Sequence, residues 1–163
     1  GLVAPSAAQQ VTKESREEIK NFARVETTVA CAGAITADAM PEIKKMGFVS
    51  VINLREAQEP GADIEKQEAA GKAAGLRYYH VPFNGAKPDP KVADQFIKVI
   101  SSKDAAPAFI HCASANRASA MWLIKRLSVD RWEVDRAVAE AEALGLSNQA
   151  LKQWAIEYAR PDR

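Results

Sequence analysis

The sequence contains few of the residues from which metal sites and disulfide frameworks are built. Its 163 residues include two cysteines, Cys31 and Cys112, and two histidines, His80 and His111. These four residues do not follow the ligand spacing of a structural zinc site, and two cysteines are too few for a disulfide framework. We therefore expect a chain that holds no metal and needs no cofactor.

The chain also lacks a strong charge of either sign and a long apolar run. Its 22 basic and 21 acidic residues give a net charge of +1, so no overall field favours nucleic acid or an anionic membrane as a partner. No apolar run approaches the roughly 20 residues that span a bilayer. The first ten residues lack the basic start and apolar core of a signal peptide, but they are compatible with the remnant of one. The compartment is therefore open between the cytoplasm and an exported location, and the oligomeric state is not indicated.

Strand-like and helix-like patterns alternate along most of the chain. Residues 1–11 are predicted to be a disordered tail, and residues 12–163 a single domain large enough for one hydrophobic core. The alternation predicts a three-layer α/β/α fold with a mostly parallel central sheet. The predicted strands are 27–30, 48–54, 76–81 and 108–111, and the predicted helices are 13–25 with Thr12 as a cap, 38–46 capped by Asp38, 63–74, a helix that begins at Pro90, 117–127, 131–143 and 147–159.

The ends of the predicted strands carry the residues of chemical interest. In parallel sheets, ligands bind beyond the carboxyl ends of the strands. Three segments are expected to meet there. They are the loop after the first predicted strand, with Cys31; the end of the second, with Asn53, Arg55 and Glu56; and the loop that begins at Cys112.

The most informative segment is the one around Cys112. A short apolar run ends in His111 and Cys112, four small or polar residues follow, and Arg117 then opens a helical pattern. A cysteine between a strand end and a helix start meets unpaired N–H groups and the positive end of the helix dipole, which favour the thiolate. The same N–H groups can bind an oxyanion, and the fork of Arg117 suits two oxygens at once. The alternative is a buried, unreactive cysteine at a strand end.

Three segments of this chain resemble cysteine-dependent phosphatases of the tyrosine/dual-specificity class. They are GFVSVINLR at 47–55, YHVP at 79–82 and HCASANR at 111–117. The resemblance is closest to a bacterial branch of nonclassical phosphatase-like domains, also found fused to β-lactamase-like hydrolases, and it extends from about residue 28 to about residue 146. It implies the cysteine-phosphatase fold and metal-independent hydrolysis of phosphotyrosine-like or small phosphomonoesters. The implied partner is a phosphorylated small molecule or a phosphoprotein.

The resemblance also implies roles for individual residues. Cys112 attacks phosphorus to form a phosphocysteine intermediate, and Arg117 binds two oxygens of the transition state. The N–H groups of Ala113, Ser114, Ala115, Asn116 and Arg117 bind the same oxygens, and His111 either braces the loop by hydrogen bonds or is a plain core histidine. Apart from the resemblance, Ser114 and Ser119 are candidates to hydrogen-bond the thiolate. Arg55, which ends the central strand together with the supporting residue Asn53, is a candidate phosphate ligand at the pocket rim, and the alternative for it is a surface salt bridge.

Asp89 is the candidate general acid, because it lies in a loop 23 residues before Cys112. A general acid is needed to protonate the leaving oxygen. Asp89 also precedes Pro90 as an N-cap would, and that role alone explains the residue. Asp63 and Glu56 are the weaker alternatives.

The segment from Cys112 to Arg117 departs from the phosphatase pattern in length and composition. Four residues separate Cys112 from Arg117 where the phosphatase signature has five, Ala115 stands in place of a glycine, and Ala118 in place of a hydroxyl residue. Ala115 is therefore expected to adopt an unusual backbone conformation. Rhodanese-type sulfurtransferases have a similarly short loop, which holds a persulfide, so sulfur transfer on Cys112 is one alternative. A non-catalytic anion-binding or protein-binding module is another, and a reversible disulfide between Cys31 and Cys112 is a further possibility.

Overall fold

The computed structural model describes residues 10–161, and over this part of the chain there are six strands in one sheet and six α-helices. A 3-10 turn at Ala37–Ala39 precedes the first α-helix. The strands are β1 Thr12–Arg16, β2 Ile19–Val25, β3 Val29–Ala32, β4 Ser50–Asn53, β5 Arg77–His80 and β6 Ala108–His111. The helices are α1 Met40–Lys45, α2 Ile64–Ala73, α3 Pro90–Ile100, α4 Asn116–Ser128, α5 Val134–Ala143 and α6 Gln149–Tyr158.

The sheet has the strand order β1-β2-β3-β6-β4-β5. The neighbouring strands β3, β6, β4 and β5 run parallel, whereas β1 and β2 form an antiparallel hairpin at one edge. The parallel strands are in level register, so Ala32, His111, Asn53 and His80 lie side by side at their carboxyl ends. The predicted meeting of strand ends at one edge is therefore confirmed.

Helices cover both faces of the sheet, as the predicted three-layer α/β/α fold requires. Alternate residues of a strand point to opposite faces, and in β6 Phe109 and Ile110 belong to two different hydrophobic clusters. The larger cluster contains residues of α3 to α6, and the smaller one contains residues of α1. Within residues 10–161, none of the helices combines the length and apolarity needed to cross a bilayer.

Most of the predicted signals at the ends of α1, α2 and α3 are confirmed by the structure, and one predicted cap is wrong. Asp89 caps α3 as expected, its Oδ1 accepting the Lys91 N–H at 2.9 Å. Gly47 and Gly75 follow α1 and α2 with left-handed φ angles of 100° and 84°, which is where glycine is favoured. The prediction that Asp38 caps the helix at 38–46 is wrong: Asp38 lies inside the 3-10 turn, and the α-helix begins two residues later. Pro41 occupies the first turn, as predicted.

The predicted helix at 13–25 is wrong, because this segment forms β1, a turn and β2. In the hairpin register, Glu14 pairs with Phe22 and Arg16 with Ile19, so Ser15 faces two residues of β2. This β-bulge breaks the two-residue alternation of the strand. Ile19, Phe22 and Val25 are consequently buried at a three-residue spacing that imitates a helix. Thr12 is the first residue of β1, and not a helix cap.

The first predicted parallel strand is displaced by two residues, from 27–30 to Val29–Ala32. The Thr28 N–H donates to the Val25 carbonyl oxygen at 2.8 Å and closes a tight turn between β2 and β3. Cys31 therefore lies within a strand and not in the loop that follows it. The predicted tail at 1–11 falls almost entirely outside the described residues, and the single-domain boundary at 12–163 stays a prediction.

Candidate active site

The candidate site is built around residues 112–117, called here the Cys112 loop. β6 ends at His111 and α4 begins at Asn116, so the loop turns directly from a central strand into a 13-residue helix. The Cys112 side chain is completely buried, and its Sγ accepts the Ala115 N–H at 3.2 Å. The predicted placement of Cys112 between a strand end and a helix start is confirmed.

Two consecutive carbonyl oxygens of the Cys112 loop accept hydrogen bonds from outside the loop. The Ala113 oxygen accepts the Ala34 N–H at 3.0 Å, and the Ser114 oxygen accepts the side-chain amide of Asn21 at 3.2 Å. The contact with Ala34 is close, because a Cβ on Gly33 would lie 2.7 Å from the Ala113 oxygen. Peptide groups whose oxygens are held outward leave their N–H groups on the other side, the arrangement that binds anions.

Ala115 has the unusual backbone conformation that was expected for a non-glycine residue at this point. Its φ is 87°, in the region that favours glycine. Its carbonyl oxygen accepts the Ser119 N–H at 2.9 Å, the first hydrogen bond of α4. Gly145 packs against it from the α5–α6 connection, where an added Cβ would lie 3.0 Å from the Ala115 Cβ. The strained turn is therefore supported by a neighbouring segment, as such turns need to be.

The guanidinium of Arg117 is held by Glu59, a residue that the sequence reasoning missed. Nη1 and Nη2 of Arg117 each lie 2.8 Å from one carboxylate oxygen of Glu59, and Nη1 also donates to the Phe83 carbonyl oxygen at 2.9 Å. Among the described residues, no protein oxygen accepts the Nε–H or the second Nη2–H. One edge of the fork is thus not bonded to a protein oxygen and can bind two ligand oxygens, and the Cys112 side chain is a further interaction partner of the guanidinium. The pKa of Arg117 is raised, and its hydrogen bonds to Glu59 are the largest cause.

Glu59 is the centre of a compact loop, residues 55–61, at the end of β4. Its carboxylate also accepts the Glu56 N–H at 2.5 Å and the Arg55 Nε–H at 3.3 Å. Hydrogen bonds from Arg117 contribute most to lowering the pKa of Glu59 to about 2. No local pattern could have indicated this role, because Glu59 lies in a polar turn and its partner is 58 residues away.

Arg55, a predicted phosphate ligand, is committed to the 55–61 loop. Its guanidinium donates to the Pro60 carbonyl oxygen at 2.7 Å and to the Gly61 carbonyl oxygen at 3.4 Å, in addition to Glu59. Arg55 and Ala113 both line a cavity of about 380 Å³ beside the Cys112 loop. Contact between Arg55 and phosphate stays a prediction. The hydrogen bonds that Arg55 makes in the structure stabilise the loop that carries Glu59.

The comparisons with known proteins bear on this geometry. Residues 21–129, about two thirds of the chain, match the model of the family described as β-lactamase hydrolase-like protein, phosphatase-like domain. The chain belongs to this family. A search of the curated proteins finds none that matches in sequence. The predicted family and the phosphoric monoester hydrolase class are thereby confirmed at family level.

Solved structures share the fold of this phosphatase-like domain. TpbA of Pseudomonas aeruginosa is 16% identical with a TM-score of 0.64, covering 90% of this chain and 91% of its own. A cysteine-to-serine form of TpbA, solved in complex with phosphotyrosine, is 15% identical with a TM-score of 0.63 and 91% coverage of both chains. The core catalytic domain of the PP-IP phosphatase SIW14 of Saccharomyces cerevisiae, in complex with citrate, is 15% identical with a TM-score of 0.68 and 88% coverage of both chains. These matches confirm the cysteine-phosphatase fold.

Two polar residues of α4 bind the connection to α6 in this phosphatase-like domain. Asn116 Oδ1 accepts the N–H groups of Ser147 and Asn148 at 2.7 and 2.8 Å. The Ser119 hydroxyl, a candidate partner of the thiolate, donates to the Leu144 carbonyl oxygen at 3.0 Å. Both side chains therefore fix the helix that carries Arg117, and their predicted contacts with phosphate and sulfur stay predictions.

The two supporting residues at the strand ends differ in their bonding. Asn53 is bonded through both ends of its amide, donating to the Tyr78 hydroxyl at 2.9 Å and accepting the Arg55 N–H at 2.9 Å. His111 is buried beside the backbone of Cys112 and Gly33, and within residues 10–161 its ring nitrogens make no well-aligned hydrogen bond. The brace by His111 stays a prediction. Burial lowers the pKa of His111 to about 3, so the imidazole is neutral at pH 7.

The candidate acids are exposed or half-buried residues outside the Cys112 loop, whereas the second cysteine is buried and interacts electrostatically with Cys112. Asp89 is exposed and caps α3. Asp63 is exposed at the start of α2, and Glu56 is half-buried in the 55–61 loop. Cys31 is a completely buried free thiol in the same hydrophobic cluster as Cys112, and burial raises its pKa. The acid role of Asp89 and a disulfide between the two cysteines stay predictions.

Proposed function

We propose that this phosphatase-like domain is a cysteine-dependent phosphatase that hydrolyses phosphotyrosine-like or other small phosphomonoesters without a metal. The observation that carries the proposal is the half-occupied fork of Arg117. Glu59 holds one side of the guanidinium, and the free edge belongs to the same short loop as the Cys112 sulfur. A phosphoryl group offers the two oxygens that such an edge binds.

The proposed reaction has two displacement steps. The Cys112 thiolate attacks phosphorus, so that an S–P bond forms while the bond to the ester oxygen breaks, and the leaving oxygen takes up a proton. Water then attacks the phosphocysteine, releasing inorganic phosphate and restoring the thiolate. Through both steps Arg117 and the N–H groups of the Cys112 loop bind the equatorial oxygens, where charge is concentrated.

Glu59 has the part of a positioning residue in this proposal. A guanidinium on a flexible side chain loses rotamer freedom when it binds a ligand. Two hydrogen bonds of 2.8 Å to Glu59 and one of 2.9 Å to the Phe83 oxygen fix the plane of the Arg117 fork beforehand. Orientation set in advance is one of the larger contributions that a protein makes to phosphoryl transfer.

The substrate class is proposed from chemistry and from the relatives together. TpbA was solved with phosphotyrosine, and SIW14 is a PP-IP phosphatase, so an aryl phosphate and a phosphorylated small molecule are the two substrates to compare. An aryl phosphate has the better leaving group, and it depends less on a general acid. We expect it to be the faster substrate, because Asp89 is occupied as a helix cap.

Sulfur transfer is the second candidate function, and one observation favours it. Only four residues separate Cys112 from Arg117, and Ala115 takes a glycine-like conformation to close that turn. A shorter loop makes a smaller anion site. In this alternative the Cys112 thiolate would attack the outer sulfur of thiosulfate, so that an S–S bond forms and sulfite leaves. Cyanide would then take the outer sulfur of the Cys112 persulfide as thiocyanate and restore the thiolate.

The test is a kinetic survey of both reactions with three variants. Wild type, Cys112→Ser, Arg117→Lys and the control Cys31→Ala are assayed with para-nitrophenyl phosphate and with thiosulfate plus cyanide. The proposal expects phosphate release by wild type and Cys31→Ala, none by Cys112→Ser, and a loss of about 100-fold in Arg117→Lys. Sulfur transfer without phosphatase activity would reject the proposal in favour of the alternative.

A further inference from the structure

The β-bulge of the hairpin places an asparagine against the Cys112 loop. Between the pairs Arg16–Ile19 and Glu14–Phe22, the single residue Ser15 of β1 faces Lys20 and Asn21 of β2. Asn21 has a φ of 49°, and asparagine is one of the few residues that tolerate this conformation. Bulges are common next to active sites, where they redirect a side chain. Here the redirected side chain is that of Asn21.

The main chain of the bulge is bonded to the segment that supports the Cys112 loop. Lys20 donates its N–H to the Ala34 oxygen at 2.9 Å and accepts the Gly33 N–H at 2.7 Å. Ala34 in turn donates to the Ala113 oxygen at 3.0 Å. The N–H groups of Gly33 and Ala34 are both used in these bonds. The next carbonyl of the loop, that of Ser114, is bonded instead by a side chain, the Asn21 amide at 3.2 Å.

The Asn21 bond acts on the peptide group whose orientation matters for an anion. A peptide group is planar, so holding its oxygen on one side fixes its N–H on the other. The Ser114 oxygen belongs to the same peptide group as the Ala115 N–H, and that N–H donates to the Cys112 sulfur at 3.2 Å. Asn21 and Cys112 therefore hold the two ends of one peptide plane.

We propose that Asn21 is a positioning residue, which acts through the Ser114–Ala115 peptide to hold the Cys112 loop open for a tetrahedral oxyanion. The inference rests on the proposed function for its catalytic consequence. Its structural consequence is that Asn21, from the hairpin, orders the Cys112 loop. That consequence does not depend on which anion binds. Asn21 does not touch the substrate in this account.

The test separates the amide of Asn21 from its backbone conformation. Asn21→Gly removes the amide but accommodates the positive φ, whereas Asn21→Ala removes the amide and strains the bulge. Glu26→Gly is the matched control, because Glu26 lies just after β2, is exposed, and also has a positive φ, 44°. Binding of inorganic phosphate is measured by calorimetry, thermal unfolding gives the stability, and hydrogen exchange is measured on the peptide that contains residues 112–117.

A positioning role predicts that phosphate affinity and stability respond differently. Both Asn21 variants should bind phosphate about threefold to tenfold more weakly, the equivalent of one lost hydrogen bond, and should exchange the 112–117 amides faster. Only Asn21→Ala should also melt earlier, and Glu26→Gly should match wild type in phosphate affinity and exchange. A phosphate affinity and an exchange rate in Asn21→Gly within twofold of wild type would overturn the inference.

Failure of the proposed function gives a different pattern. If wild type binds no phosphate and hydrolyses no phosphate ester, the phosphatase proposal fails, and the exchange measurement alone then decides the positioning role. Unchanged exchange in Asn21→Gly would overturn that role as well. If wild type binds phosphate and Asn21→Gly binds it equally well with unchanged exchange, the function stands and the Asn21 inference is rejected.

Discussion

Replacement of Glu59 by glutamine is the sharpest perturbation of the Arg117 fork. Glutamine keeps the shape of the side chain, but its amide nitrogen is a donor and faces a guanidinium that can only donate. One of the two hydrogen bonds of 2.8 Å is therefore lost, together with the negative charge. We expect the fork to be less well oriented in Glu59→Gln, while Cys112 and its loop stay intact.

The size of the effect follows from the exposure of the pair. The side chains of Arg117 and Glu59 are 15% and 20% exposed, so water screens their interaction only in part. A hydrogen bond between charged groups contributes about 1.5–3 kcal/mol under such conditions. If that orientation is needed in the transition state, kcat/KM for para-nitrophenyl phosphate should fall by about 10-fold to 100-fold.

The assay compares Glu59→Gln with Glu65→Gln, a control on an exposed glutamate in the first turn of α2. Steady-state kinetics at pH 7 are read beside melting curves, so that a loss of folded protein is not mistaken for a loss of rate. The expected result is a fall in kcat/KM for Glu59→Gln alone. A rate within twofold of wild type in a fully folded Glu59→Gln protein would refute the positioning role of Glu59.

Three further predictions concern stability. Folding lowers the pKa of Glu59 from 4.5 to about 2. The contribution of Glu59 to the free energy of unfolding is therefore present above about pH 4.5 and is lost as the pH falls towards 2. Between pH 5 and pH 2, chemical denaturation should show wild type losing about 1–2 kcal/mol more stability than Glu59→Gln, after allowance for solvent screening. Gly33→Ala should reduce both stability and kcat, because the added Cβ would lie 2.7 Å from the Ala113 oxygen and must displace the loop; normal kinetics in this variant would contradict the packing. Glu140→Gln should destabilise the fold by about 3–5 kcal/mol without changing kcat of the folded protein, because the hydrogen bonds of the buried Glu140 carboxylate go to Arg126 and Trp122 and not to the Cys112 loop. A melting temperature equal to that of wild type would contradict this prediction.

The part of the site that lies in one stretch of sequence could be predicted from the sequence. The order of apolar strand, cysteine, small residues, arginine and apolar helix is local, and the structure has β6, the Cys112 loop and α4 where that order placed them. The convergence of strand ends followed from topology, since parallel strands in level register bring Asn53 and His111 together at one edge. Asp89 and Pro90 likewise form a local capping signal.

The contacts that complete the site could not be predicted, because they join segments far apart in the chain. Glu59 meets Arg117 across 58 residues, and Asn21 meets Ser114 across 93 residues. The hairpin itself was hidden, because its bulge gives Ile19, Phe22 and Val25 a helical spacing. Asn116 and Ser119 have polar side chains that could bind a ligand, but in the structure they form hydrogen bonds to the segment between α5 and α6. These contacts depend on how α4 packs, which the sequence does not show.

The measurement closest to the central claim is detection of the covalent intermediate. Wild-type protein is mixed with para-nitrophenyl phosphate, quenched within the first turnovers, digested and examined by mass spectrometry. We predict one phosphoryl group on the peptide that contains Cys112, absent from Cys112→Ser and unaffected by Cys31→Ala. Phosphate release by Cys112→Ser, or turnover of wild type with the phosphoryl group found on another residue, would contradict the account.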